Sequence, residues 1–152
     1  EEIIFRGWLL DEMNYLFGTH RGLVLQALIF SFAHARFSLE FRSILGVLIG
    51  LFLLGLVLGI LRKLHQGSLW GCIGLHGGLV GIWFFIDNGL VDYYLNIPRW
   101  LFGPGGDTLN PLGGFLAIST LSIIILIHRN ALAIAGRPFT GARNASSRGD
   151  FP

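Results

Sequence analysis

The sequence is poor in charge. Lys, Arg, Asp and Glu together make up 13% of its 152 residues, against about 25% in an average soluble domain. A soluble globular chain needs more polar side chains than that to cover its surface. Cysteine occurs once, at Cys72, which excludes an intramolecular disulfide framework. The excess of positive charge is slight, a formal net charge of +2 at pH 7, and excludes nucleic acid as an expected partner. The polar, weakly hydrophobic composition of a disordered chain is also missing. What is abundant is hydrophobic side chains, 53% of the residues, and glycine, with 22. Mean hydropathy is +0.65. These are the proportions of an integral membrane protein, whose first partner is the lipid bilayer.

The longest apolar run is 44–61, ILGVLIGLFLLGLVLGIL, without a single polar side chain. About 20 apolar residues cross a bilayer core, so this run reads as a transmembrane helix, followed by Arg62, Lys63 and His65 at the interface. A second span covers 68–86, interrupted only by His76, and a third covers 111–127. Pro111 costs little at a helix start, where the first-turn N–H is unpaired anyway. Segments 1–17 and 22–35 have helical length and no internal breaker, but they carry polar residues. Such helices sit in a membrane when their polar faces line a protein interior.

The expectation is therefore an all-α, multi-pass transmembrane bundle with about five membrane-embedded helices. It occupies 1–135, extends upstream of Glu1, and is followed by a disordered polar tail at 136–152. A turn is expected at 18–21. A long connection at 87–110 carries Tyr93, Tyr94, Trp100 and Phe102, aromatics suited to the headgroup zone. Gly67, Gly71, Gly74, Gly78 and Gly81 recur at helical spacing and read as a packing seam. With five helices, Arg21, Arg62, Lys63, Arg129, Arg137, Arg143 and Arg148 fall on one side, and Arg36, Arg42 and Arg99 on the other. That excess places the C-terminal tail in the cytoplasm.

Ionisable groups inside a membrane are costly, on the order of 2.5–3.5 kcal/mol each on insertion scales. Here they are Glu1, Glu2, Arg6, His34 and His76. Glu2 and Arg6 are four apart and share a helix face; Glu1, offset by about 100° on a helical wheel, need not share that pairing. His76 lies mid-span on the face away from the glycines. Carboxylates with two histidines in a dry interior fit three chemistries: a metal site, a proton or ion relay, or a hydrolase. In a hydrolase a desolvated glutamate is the general base on water and histidines orient that water and donate to the oxyanion. The sequence holds no H-E-x-x-H and no His pair at i, i+4, and no serine or cysteine nucleophile stands in a recognisable motif.

The order of these residues resembles a known family. Glu1-Glu2-Ile3-Ile4-Phe5-Arg6 is similar to the EExxxR motif of the CPBP family, the CAAX proteases and bacteriocin-processing enzymes. Phe30-Ser31-Phe32-Ala33-His34 is similar to its FxxxH motif, and His76 stands where its HxxxN/D motif begins. The resemblance covers residues 1 to about 80. It implies an intramembrane glutamic endopeptidase that needs no metal or other cofactor and acts on a peptide or protein substrate, in some members a prenylated one. Glu1 would then be the general base, Glu2 would assist it or hold Arg6, His34 would share the water, and His76 would stabilise the oxyanion. One position departs: where the family usually has Asn or Asp, this chain has Val80. The alternative is a non-catalytic membrane protein of the same fold, acting in bacteriocin immunity or partner binding.

Overall fold

The computed structural model describes residues 1–35, 41–85, 88, 99–103 and 110–128, and every regular element among them is a helix. A π-helical segment, Ile3–Leu9, runs without a break into α1, Leu10–Phe17. The chain then reverses at Gly18, whose φ of 78° is open to glycine at no steric cost. α2, Thr19–Ala33, returns alongside. One residue thus makes the turn for which the sequence suggested four. α3 is Phe41–Leu64 and α4 is Trp70–Phe85. A short α5, Arg99–Phe102, and a 3₁₀ turn, Pro111–Gly113, precede α6, Phe115–Ile127. The Asn110 side chain caps the 3₁₀ turn by accepting from the Leu112 N–H.

The all-helical expectation holds among the described residues. Of their helices, Ser43–Leu64 is long and apolar enough to cross a membrane. α4 and α6 are apolar but shorter, at 16 and 13 residues. The 136–152 tail and most of the 87–110 connection lie outside the described residues, as does Arg129, from which the tail's orientation was partly read.

α3 is the helix on which its neighbours pack, with Leu45 and Ile49 left exposed. Val47, Leu51, Leu54, Val57 and Leu58 pack with Phe30 of α2, Cys72 of α4 and Leu121 of α6. Ile60 packs with Leu10 and Leu23. Two side-chain to main-chain bonds tie neighbours to this helix: Ser31 Oγ donates to the Leu48 carbonyl at 2.7 Å and Cys72 Sγ to the Leu58 carbonyl at 3.2 Å. At the far end Arg62 grips both carboxylate oxygens of Asp11, at 2.6 and 2.8 Å, and Lys63 Nζ donates to the Thr19 carbonyl at 3.4 Å. The cations expected to anchor α3 at the interface therefore also fasten it to the Gly18 corner.

The glycines that permit close packing lie elsewhere than the sequence suggested. A Cβ on Gly74, Gly78 or Gly81 would meet nothing within 4 Å among the described residues, so no described helix packs on that stretch, whereas one on Gly71 would meet Leu61 of α3 at 3.5 Å. At Gly22 a Cβ would lie 2.6 Å from the Asn14 nitrogen and 2.7 Å from the Met13 carbonyl carbon. Gly22 thus lets α2 lie directly on the α1 backbone, and Gly55 lets α3 approach Ala27, where a Cβ would lie 3.0 Å from the Ala27 Cα.

This contrast is measurable. Gly22→Ala should lower the unfolding midpoint in detergent, because main chain cannot yield as a side chain does and overpacking costs about 1–3 kcal/mol. Gly78→Ala should leave the midpoint unchanged or raise it, since alanine is favoured over glycine within a helix by about 0.5–1 kcal/mol. Equal midpoints for the two variants would overturn the α1–α2 packing.

Candidate active site

The reversal at Gly18 lays α2 antiparallel to α1, and so brings the start of the chain beside the end of α2. Glu1 and Glu2 begin the π-helical segment, His34 is the first residue past α2, and α4 supplies His76 from mid-helix. All five sequence-predicted site residues meet here. The wide turn is marked by the Leu10 N–H, which reaches back five residues to the Phe5 carbonyl. Such π turns cluster at functional sites, and no feature of the sequence announces this one.

Glu2 is the most connected carboxylate. Arg6 Nη1 donates to its Oε1 at 3.0 Å, the pairing legible from the i, i+4 spacing. His76 Nδ1 lies 2.7 Å from the same oxygen, a contact across 74 residues that local spacing could not reveal. Glu2 and Arg6 are both buried. Glu1 is more open. Its Oε2 lies 3.4 Å from His34 Nε2 and 3.9 Å from His76 Nε2.

The hydrogen bonds assign the tautomers. His34 Nδ1 is 2.8 Å from the Phe30 carbonyl, which can only accept, so Nδ1 carries the proton. His76 Nδ1 likewise faces a carboxylate and donates to it. Both histidines therefore turn Nε2 toward Glu1. A neutral ring presents a lone pair there and an imidazolium presents a donor.

Aromatic rings form the floor. The Arg6 guanidinium carbon sits 4.0 Å from the centroid of the Phe30 ring, while its Nε and Nη2 find no acceptor among the described residues. Phe30 is fully buried. Phe5 meets it edge-on at 5.2 Å, the His34 ring lies 4.4 Å away and the His76 ring 5.8 Å. The sequence marks Phe30 only as the first residue of the FxxxH-like motif; its contacts depend on side chains from separate helices.

Beside the carboxylates is a cavity of about 420 Å³, lined by Glu1, Glu2 and His76 together with apolar Ile3, Ile73, Gly77 and Val80. Val80 is 57% exposed. Among the described residues no group of three or more His, Cys, Asp or Glu side chains is arranged to hold a metal ion. The remaining histidines do not join these contacts: His128 Nδ1 bonds the Ile124 carbonyl at the end of α6, and His20 and His65 are exposed. A carboxylate flanked by two imidazole Nε2 atoms at the mouth of an apolar cavity can hold a polarised water against an incoming carbonyl.

No curated protein and no solved structure matches the chain. A family match does exist, covering residues 1–82, and it takes in the π-helical segment, α1, α2, α3 and the part of α4 that bears His76. The family is described as type II CAAX prenyl endopeptidase, Rce1-like. The residues on which the resemblance was first drawn all fall within it, and the chain belongs to this Rce1-like protease family.

Proposed function

We propose that the chain carries the catalytic part of a multi-pass, membrane-embedded endopeptidase that hydrolyses a peptide bond with glutamate-activated water. The observation that carries this reading is the placement of Glu1 Oε2 between the Nε2 atoms of His34 and His76. The substrate is a peptide or protein, and the family's description points to one with a prenylated C-terminal region. The C-terminal tail faces the cytoplasm in this reading, on the arginine count.

In the proposed reaction a water lies between Glu1 and His34 Nε2. Glu1 takes one of its protons as the oxygen attacks the scissile carbonyl carbon. A C–O bond forms and the carbonyl electron pair moves onto oxygen. His76 donates to that oxyanion from Nε2; because Nδ1–H is already given to Glu2, the ring must be an imidazolium to do so. The intermediate collapses with cleavage of the C–N bond, and the proton held by Glu1 passes to the leaving amine. Glu2, fixed by Arg6, keeps His76 oriented by accepting from its Nδ1.

Three outcomes test this. The protein should stay in the membrane fraction after an alkaline carbonate wash; recovery in the supernatant would sink the membrane part of the proposal. Glu1→Gln should lower kcat/KM by on the order of 10²–10⁴, the range for a lost general base, when cleavage of a prenylated peptide is followed in membranes. Activity at the parental level would remove Glu1 from the mechanism. Chelators should leave the rate unchanged, and loss with chelator restored by zinc would point to a metal instead.

Val80 provides the sharpest comparison. It stands one turn after His76 and lines the same cavity, yet valine cannot donate. One oxyanion donor is worth roughly 10²–10³ in rate, so Val80→Asn should raise turnover. Equal turnover would mean another donor fills the place. A folded protein inactive in both forms would favour the non-catalytic role in immunity or partner binding.

A further inference from the structure

Arg6 poses a problem that Glu2 alone does not solve. The guanidinium is fully buried, five N–H groups leave it in a rigid plane, and the hydrogen bond to Glu2 uses only Nη1. Nε and Nη2 are buried without an acceptor among the described residues. What lies against the guanidinium is the Phe30 ring, 4.0 Å from its centroid. An aromatic face is electron-rich and attracts a cation, most strongly where water is excluded; an aliphatic side chain of equal volume offers no such field.

We propose that Phe30 is a positioning residue of this site, its ring face holding the buried Arg6 and its carbonyl holding His34. The same residue thereby sets both sides of the cluster. Through Arg6 it fixes Glu2, and through Glu2 it fixes His76 Nδ1, at 3.0 and 2.7 Å in turn. Through its own carbonyl it fixes the His34 tautomer, at 2.8 Å, and its ring packs against both imidazoles. Phe5 stands farther off: its ring centroid is 5.9 Å from the guanidinium carbon, near the outer limit for such a contact. The kinetic consequence rests on the hydrolytic reading above; the Arg6 contact does not.

The test replaces Phe30 by mono-, di- and trifluorinated phenylalanines in the full chain, which drains charge from the ring face while barely changing its shape. The matching series at Phe5 is the control. Cleavage of a prenylated peptide and the unfolding midpoint in detergent are both measured. The expected result is a stepwise fall in kcat at position 30, on the order of tenfold for the trifluorinated ring, with KM unchanged and a nearly flat series at position 5. A role in packing alone would leave the position 30 series flat, and flat kcat and midpoint there would overturn the proposal while leaving the Glu1 result untouched. Should the unmodified protein cleave nothing, the hydrolytic reading fails. A midpoint falling stepwise at position 30 and not at position 5 would then still support Phe30 as the residue that holds Arg6, and a flat midpoint would overturn it.

Discussion

Arg6 is the constraint from which the site is built. Placing a guanidinium in an apolar interior costs several kcal/mol unless it is paired and its donors are engaged. The chain meets that cost with a carboxylate one turn back, Glu2, and an aromatic face from the next helix, Phe30. Each compensating group has a second task. Glu2 holds His76, and the Phe30 carbonyl holds His34. The positions of both histidines thus follow from stabilising one cation, and Glu1 lies between them because it is the neighbour of the residue that does so.

The scaffold around this cluster is organised to bring three sequence-distant segments to one point. Gly18 permits the reversal that sets residues 1 and 34 side by side, and Gly22 lets the two arms lie in main-chain contact. α3 serves both as the long apolar element and as the surface on which α2 and α4 are seated, through Ser31 and Cys72. The Asp11–Arg62 pair closes the far end. Exposed ion pairs are worth little on average, but this one is bidentate, and its partners come from helices whose relative placement the near end requires.

Much of this was legible in the sequence, and what was not has a physical reason. A run with no polar side chain can only be an apolar helix, so 44–61 located α3 within a few residues. The i, i+4 spacing disclosed the Glu2–Arg6 pair, because that contact is local. Costly ionisable groups on separate helices, in the order of a known motif, indicated that Glu1, His34 and His76 share a pocket. The Glu2–His76 bond spans 74 residues, and the Arg6–Phe30 stack spans helices; neither has a local signature. Among the described residues Gly74, Gly78 and Gly81 of α4 meet no neighbour, because periodic glycines show that close packing is permitted and do not show that a neighbour is present. Glycines that do pack, Gly22 of α2 and Gly50, Gly55 and Gly59 of α3, each stand where one specific partner crosses. The π-helical turn was illegible because its residues suit an ordinary α-helix equally well.

Charge accounting links the cluster to the proposed chemistry. Two carboxylates face one guanidinium, so these groups carry one uncompensated negative charge, which the imidazolium at His76 that the proposed step requires would balance. When Glu1 takes a proton from water and the hydroxyl adds to a carbonyl, no charge enters or leaves. The negative charge moves from Glu1 to the new oxyanion. His76 Nε2, 3.9 Å from Glu1 Oε2, sits where it can serve either location, whereas Arg6 remains committed to Glu2. A low-dielectric site gains most from donors that need not reorganise as charge shifts. In the proposed reaction, holding Glu2 with Arg6, and Arg6 with the buried Phe30 ring, would keep His76 from turning toward another partner during that shift. Val80 adds no donor to the cavity lining, so in the proposed reaction the oxyanion would rely on His76.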